Sequence, residues 1–173
     1  MSVPRVLVAG IGNIFLGDDA FGCEVAQRLA GRDWPEGVRV ADFGIRGLDL
    51  AYALLDGPEA TVFVDAVPRG GEPGTVYVIE LDLTQIGAAD QGKTVVDAHT
   101  MNPLAVLAMV QSLGGALRQI TLVGCEPGDL GTAEEGKMGL SPPVAAAVDN
   151  AIECVERLVS DILARRHEAV ELR

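Results

Sequence analysis

The chain has 173 residues, a mass of 18.1 kDa and a formal net charge of −12, with a sequence pI near 4.4. That much negative charge repels phosphates and anionic headgroups, which argues against a nucleic-acid backbone or an anionic membrane surface as a partner. Hydrophobic residues make up 49% of the chain and the mean hydropathy is +0.28, which fits one domain with a core of ordinary size and excludes general disorder.

The apolar runs are strand-length, short of the roughly 20 residues that a membrane span needs. The first ten residues lack a basic leader followed by an apolar stretch, so no signal peptide is expected. Three cysteines (Cys23, Cys125, Cys154) are widely spaced and form no C-x-x-C pair. They point to a reducing, cytoplasmic setting rather than a disulfide framework.

Arg5–Gly10 has the continuous Val/Leu character of a strand buried on both faces of a parallel sheet. Gly10 and Gly12 bracket its end, where a tight turn needs positive φ. A loop with the adjacent pair Asp18 and Asp19 follows, then a helix whose Phe21, Val25 and Leu29 form one apolar stripe. Either aspartate can cap that helix. A helix needs one cap, so the second carboxylate has no structural task at the mouth of a buried strand.

Gly37–Phe43 reads as strand two, Gly44–Gly47 as a loop and Leu48–Leu55 as a short helix. Thr61–Val67 is strand three, apolar except for Asp65. The turn cluster Arg69–Gly74 leads to strand four, Thr75–Leu81. That link is too short for a parallel crossover, so strand four is expected to run antiparallel. Asp82–Met101 reads as a long loop with a turn near Leu83–Ile86, and it holds Asp97 and His99. Asn102-Pro103 starts a helix that ends at Gly114-Gly115. Gln119–Gly124 is strand five. Ser141-Pro142 opens a last helix with apolar residues at steps of three and four. One domain over residues 1–166 is expected, followed by a charged, frayed tail at 167–173.

Strands alternating with helices predict an α/β three-layer domain with a mixed, mostly parallel sheet. Parallel strands place Asp18, Asp19, Asp42, Asp65 and Glu126 at one carboxyl-end rim, and the loop of His99 should lie there too. A histidine with two or three carboxylates suits a divalent transition metal such as nickel or zinc, or general acid–base chemistry. Asp65 stands inside an apolar strand, where a carboxylate without a partner is costly. Asp42 reads as a brace for the Gly44–Gly47 loop, Asp97 as a group that could orient His99, Cys125 as a packed residue and Glu126 as a solvated loop charge. A dinucleotide site is a minor alternative. The G-x-G-x-x-G fingerprint is broken at Phe15, and two aspartates would repel a pyrophosphate, although Asp42 fits a ribose contact.

GIGNIFLGDDAFG, VFVDAV, DAHTMNPLAVL, VGCEP and GLSPPV, in this order, resemble the [NiFe]-hydrogenase maturation proteases. The resemblance spans nearly the whole chain, and its opening block is the most specific part. It implies a phosphorylase/hydrolase-like α/β/α sandwich with a five-stranded sheet of order 2-1-3-5-4 and strand four antiparallel. It further implies an endopeptidase that removes a C-terminal extension from the [NiFe]-hydrogenase large-subunit precursor after nickel insertion. Nickel carried by the substrate is then the recognition signal, with no tightly bound cofactor in the enzyme itself. The family's metal-contacting and catalytic residues fall on Asp19, Asp65 and His99. The family's D-G-G-T-x-G loop falls on Asp42–Gly47, which here reads DFGIRG, and the first-loop acid, often glutamate, is the shorter Asp19. The alternative of another class is a nickel-dependent chaperone of the large subunit that cuts nothing.

Overall fold

The computed structural model describes residues 5–86 and 101–171. Five strands form one sheet: β1 (Val6–Ile11), β2 (Val38–Gly44), β3 (Ala60–Ala66), β4 (Val76–Glu80) and β5 (Gln119–Cys125). Their order is β2-β1-β3-β5-β4. β1, β2, β3 and β5 run parallel, and β4 pairs antiparallel with β5, as the short link from β3 requires. That link crosses over β5, so β3 and β4 are not neighbours.

Alternation along the strands feeds two cores. Val6, Val8, Val62 and Val64 face α1 (Phe21–Ala30) and α4 (Pro142–Glu171). Leu7, Ala9, Ile11 and Phe63 face α2 (Gly47–Leu55) and α3 (Pro103–Ser112). Every residue of β1 is buried, as its unbroken apolar run predicts for a central parallel strand. Phe21, Val25 and Leu29 of α1 are each fully buried, so the predicted stripe does face the sheet. Asn102 caps α3, accepting the Leu104 N–H at 3.0 Å, with Pro103 in the first turn. The backbone of α4 stays helical to Glu171, past Arg166, where the sequence suggests fraying.

Two glycines set how the first loop meets the sheet. Gly12 has φ of +147° and lies so close to the following turn that a Cβ would fall 1.8 Å from the Asp19 carbonyl oxygen. Gly22 lets α1 rest on the strands, because a Cβ there would be 2.0 Å from the Val64 carbonyl oxygen and 2.2 Å from that of Ile11. Gly10 does not take the positive φ that its place at a turn suggests. It is small because the α1 backbone presses on it. Among the described residues no helix is long and apolar enough to cross a membrane.

Candidate functional site

The register aligns the strand ends. Gly10 of β1 stands opposite Asp42 of β2 and Val64 of β3, and Asp65 stands opposite Gly124 of β5. Asp42 and Asp65, with the loop holding Asp18 and Asp19, therefore share one edge of the sheet, where open α/β folds place ligands. His99 and Asp97 lie outside the described residues.

Neither aspartate of the first loop caps α1. A 3-10 turn over Gly17–Ala20 intervenes, and the α1 cap position, Ala20, has no side-chain bond. The two neighbours have opposite environments instead. Asp18 is completely buried and its carboxylate accepts four hydrogen bonds. These come from Gly128 N (2.8 Å), Asp129 N (2.7 Å), Ser141 N (2.6 Å) and Ser141 Oγ (2.7 Å). Burial alone would raise this acid, but the four donors outweigh it and hold it below the usual carboxylate range. Asp19 is half-buried and accepts one bond, from Asn13 N at 2.8 Å. Burial raises its carboxyl, and the Asn13 N–H offsets only part of the rise.

Asp65 ends β3 beside it. Burial pushes its carboxyl well above the ordinary range, the Asp19 charge pushes it further, and the Ala66 N–H pulls it back in part. Two carboxylates that disfavour each other's ionisation, in a partly dehydrated place, favour a shared proton or a cation. Cys23 lies in the same field. Its thiol donates to the Gly12 carbonyl at 3.4 Å, and burial, then the charges of Asp42, Asp19 and Asp65, push it far up. It is a neutral thiol and no nucleophile. Asp42 braces its loop as expected, accepting Gly44 N and Gln27 Nε2, both at 2.9 Å.

Glu126 is not the solvated loop charge that its position suggests. It is 5% exposed and accepts Arg69 N (2.8 Å), Gly70 N (3.1 Å) and Tyr77 Oη–H (2.9 Å). Burial would raise it, but these donors and Gly71 N hold it low. Its role is to fold the β3–β4 turn. Cys125 is fully buried, as expected of a packed residue, and burial and the Asp18 charge push its thiol to about 11.

Sequence reasoning missed Ser141 and the loop leading to it. That loop is laced to the first one by Gly17 N to Lys137 O (2.8 Å), Lys137 N to Phe15 O (2.7 Å) and Asp18 N to Asp129 O (2.8 Å). Ser141 reads as the cap of α4, yet its hydroxyl serves Asp18. The only sequence signal was the surplus carboxylate of the Asp18–Asp19 pair. Among the described residues no group of three or more His, Cys, Asp and Glu is arranged to hold a metal ion. A groove beside Asp42, lined by Arg39, Asp42, Phe43, Arg46 and Tyr52, takes three residues of the DFGIRG loop, Phe43 among them.

A family model described as hydrogenase maturation protease matches residues 23–158. A Methanocaldococcus jannaschii protein, named as a candidate hydrogenase maturation protease, is 37% identical over 90% of this chain and 96% of its own. The hydrogenase 2 maturation protease of Escherichia coli is 29% identical over 87% of this chain and 88% of its own. The solved structure of the E. coli hydrogenase maturating endopeptidase HybD superposes with a TM-score of 0.72 and 28% identity, covering 91% of this chain and 93% of that one.

Proposed function

The chain belongs to the hydrogenase maturation protease family, and on that premise we propose that it cuts a C-terminal extension from a [NiFe]-hydrogenase large-subunit precursor once nickel has been inserted. The endopeptidase role in hydrogenase maturation follows from the family; the bond cut and the nickel check are our reading. The observation that supports it is the Asp19–Asp65 pair at the carboxyl edge of the sheet, where the Asp19 charge opposes ionisation of the buried Asp65. Nickel arrives as part of the substrate. Asp19, Asp65 and His99 complete its coordination, since hard carboxylate oxygens and an imidazole suit that ion.

Docking through the metal fixes the scissile bond beside the carboxylates, and positioning alone removes a large share of a hydrolytic barrier. The attacking water loses its proton to a carboxylate whose raised affinity for protons suits a general base, or is polarised by the substrate's own nickel. Precursor that lacks nickel gains no such docking and is left uncut. We place the reaction in the cytosol, which agrees with three free thiols.

The test is mass spectrometry of a cognate precursor incubated with the enzyme, with and without nickel loading. A C-terminal mass loss only in the loaded sample is expected. Loss in both samples would discard nickel as the signal. No loss in either, with a complex confirmed by pull-down, would replace the protease by a chaperone. Asp65→Ala should abolish processing with circular dichroism unchanged, and His99→Ala should weaken nickel binding in calorimetry.

A further inference from the structure

We propose that Asp18 is a positioning residue for the reaction: its clamp on Gly128, Asp129 and Ser141 fixes the turn that aims the Asp19 carboxylate at the end of β3. The inference rests on the reading above for what Asp19 does.

Asp18 and Asp19 share one 3-10 turn, Gly17–Ala20, so the backbone that sets one sets the other. Among the described residues the Asp19 carboxylate accepts one hydrogen bond, from Asn13 N, whereas that of Asp18 accepts four. The side-chain bonds that hold the turn are thus mostly those of Asp18, beside the backbone bonds from Gly17 N to Lys137 O and from Asp18 N to Asp129 O. All four donors come from the loop between β5 and α4, 110 to 123 residues away in sequence. β3 lies between β1 and β5 in the sheet. The clamp therefore spans the carboxyl end of β3, where Asp65 stands.

The chemistry of the clamp explains why the group is a carboxylate. Oδ1 meets Ser141 N, and Oδ2 meets Gly128 N, Asp129 N and Ser141 Oγ. Both oxygens face donors, so an acceptor-only group is required. An asparagine must turn its NH2 towards at least one backbone N–H. Among the described residues no salt bridge reaches Asp18, so it serves as a multiple acceptor rather than half of an ion pair.

The experiment compares Asp18→Asn, Ser141→Ala and Ser141→Thr with the wild type in precursor processing, with kcat taken per folded molecule and KM measured separately. The expected result is a fall in kcat on the order of 10–100-fold for Asp18→Asn, as misaligning a reacting group by a fraction of an ångström would give, with KM raised as well because Asp19 also holds the docked metal. Ser141→Ala should show a smaller fall in the same direction, and Ser141→Thr, which keeps the hydroxyl, should restore the rate. A loss confined to melting temperature, with kcat per folded molecule unchanged, would overturn the proposal and leave Asp18 as scaffolding. If Asp18→Asn does not fold, the Ser141 pair decides by the same criterion. Should the wild type itself cut no precursor, the function proposed above fails separately. In that case the amide resonance of Asn13, the donor to Asp19, decides in the 15N spectrum of the folded Ser141→Ala variant: a displaced resonance restored by Ser141→Thr supports the coupling, and an unmoved one overturns it.

Discussion

Gly22→Ala tests how the site is seated on the sheet. The new methyl would stand 2.0 Å from the Val64 carbonyl oxygen and 2.2 Å from that of Ile11, where side-chain carbons do not come within 3.0 Å. Both obstacles are backbone, so α1 must lift by about 1 Å. Forcing a group into such a contact costs about 3 kcal/mol. The better helix propensity of alanine returns at most about 1 kcal/mol. A net loss of about 2 kcal/mol lowers the urea midpoint by about 1 M with m unchanged, for m near 2 kcal/mol/M. Because Asp19 precedes Gly22 by one turn and Val64 adjoins Asp65, the same lift moves the two carboxylates relative to each other. Processing should then fall on the order of 100-fold. Gly31→Ala is the control, since a Cβ there meets nothing nearer than 3.8 Å. A Gly22→Ala protein with the wild-type midpoint would refute the claim that α1 is seated by this contact.

The Asp65 carboxyl is raised in the folded protein, so its contribution to stability is present below the unfolded value of 3.8 and is lost as pH rises through the folded value. Asp65→Asn should therefore raise the melting temperature near neutral pH, change it little below about pH 4, and abolish processing; an equal rise at both pH values would contradict the assignment. Cys23 and Cys125 are buried with raised thiols, whereas Cys154 is half-buried. Iodoacetamide at mildly alkaline pH should label Cys154 at least about tenfold faster than either, read by peptide mass spectrometry, and comparable labelling of Cys23 would show that the site is more open than described. Asn102→Ala removes the α3 cap and should cost about 1 kcal/mol in urea unfolding; a change under about 0.3 kcal/mol would mean that the cap is redundant.

The sheet could be read from the sequence because its signals are local. The Val/Leu run of β1, the nine-residue link before β4 and the Asn102-Pro103 start each act within a few residues. The division of labour between Asp18 and Asp19 could not be read that way. The two residues are chemically identical and adjacent, and the four donors that set Asp18 apart lie more than a hundred residues away. Glu126 fails for the same reason, since the N–H groups that bury it profitably belong to a turn 56 and 57 residues earlier. Asp65 was different. A carboxylate inside an apolar strand marks itself, because burial without a partner is costly whatever the surroundings.

The lacing of the first loop to Ser141 also has a consequence for the order in which the protein is made. Gly12 to Asp19 are made well before their clamp, which is not complete until residue 141, and α4, which covers one face of the sheet, follows that. A nascent or truncated chain carries Asp19 and Asp65 without the partner that orders the turn holding Asp19. Long-range contacts of this kind close late in folding. The first loop is therefore ordered only once the segment through Ser141 has been made, and a partly folded chain has both acids without their alignment.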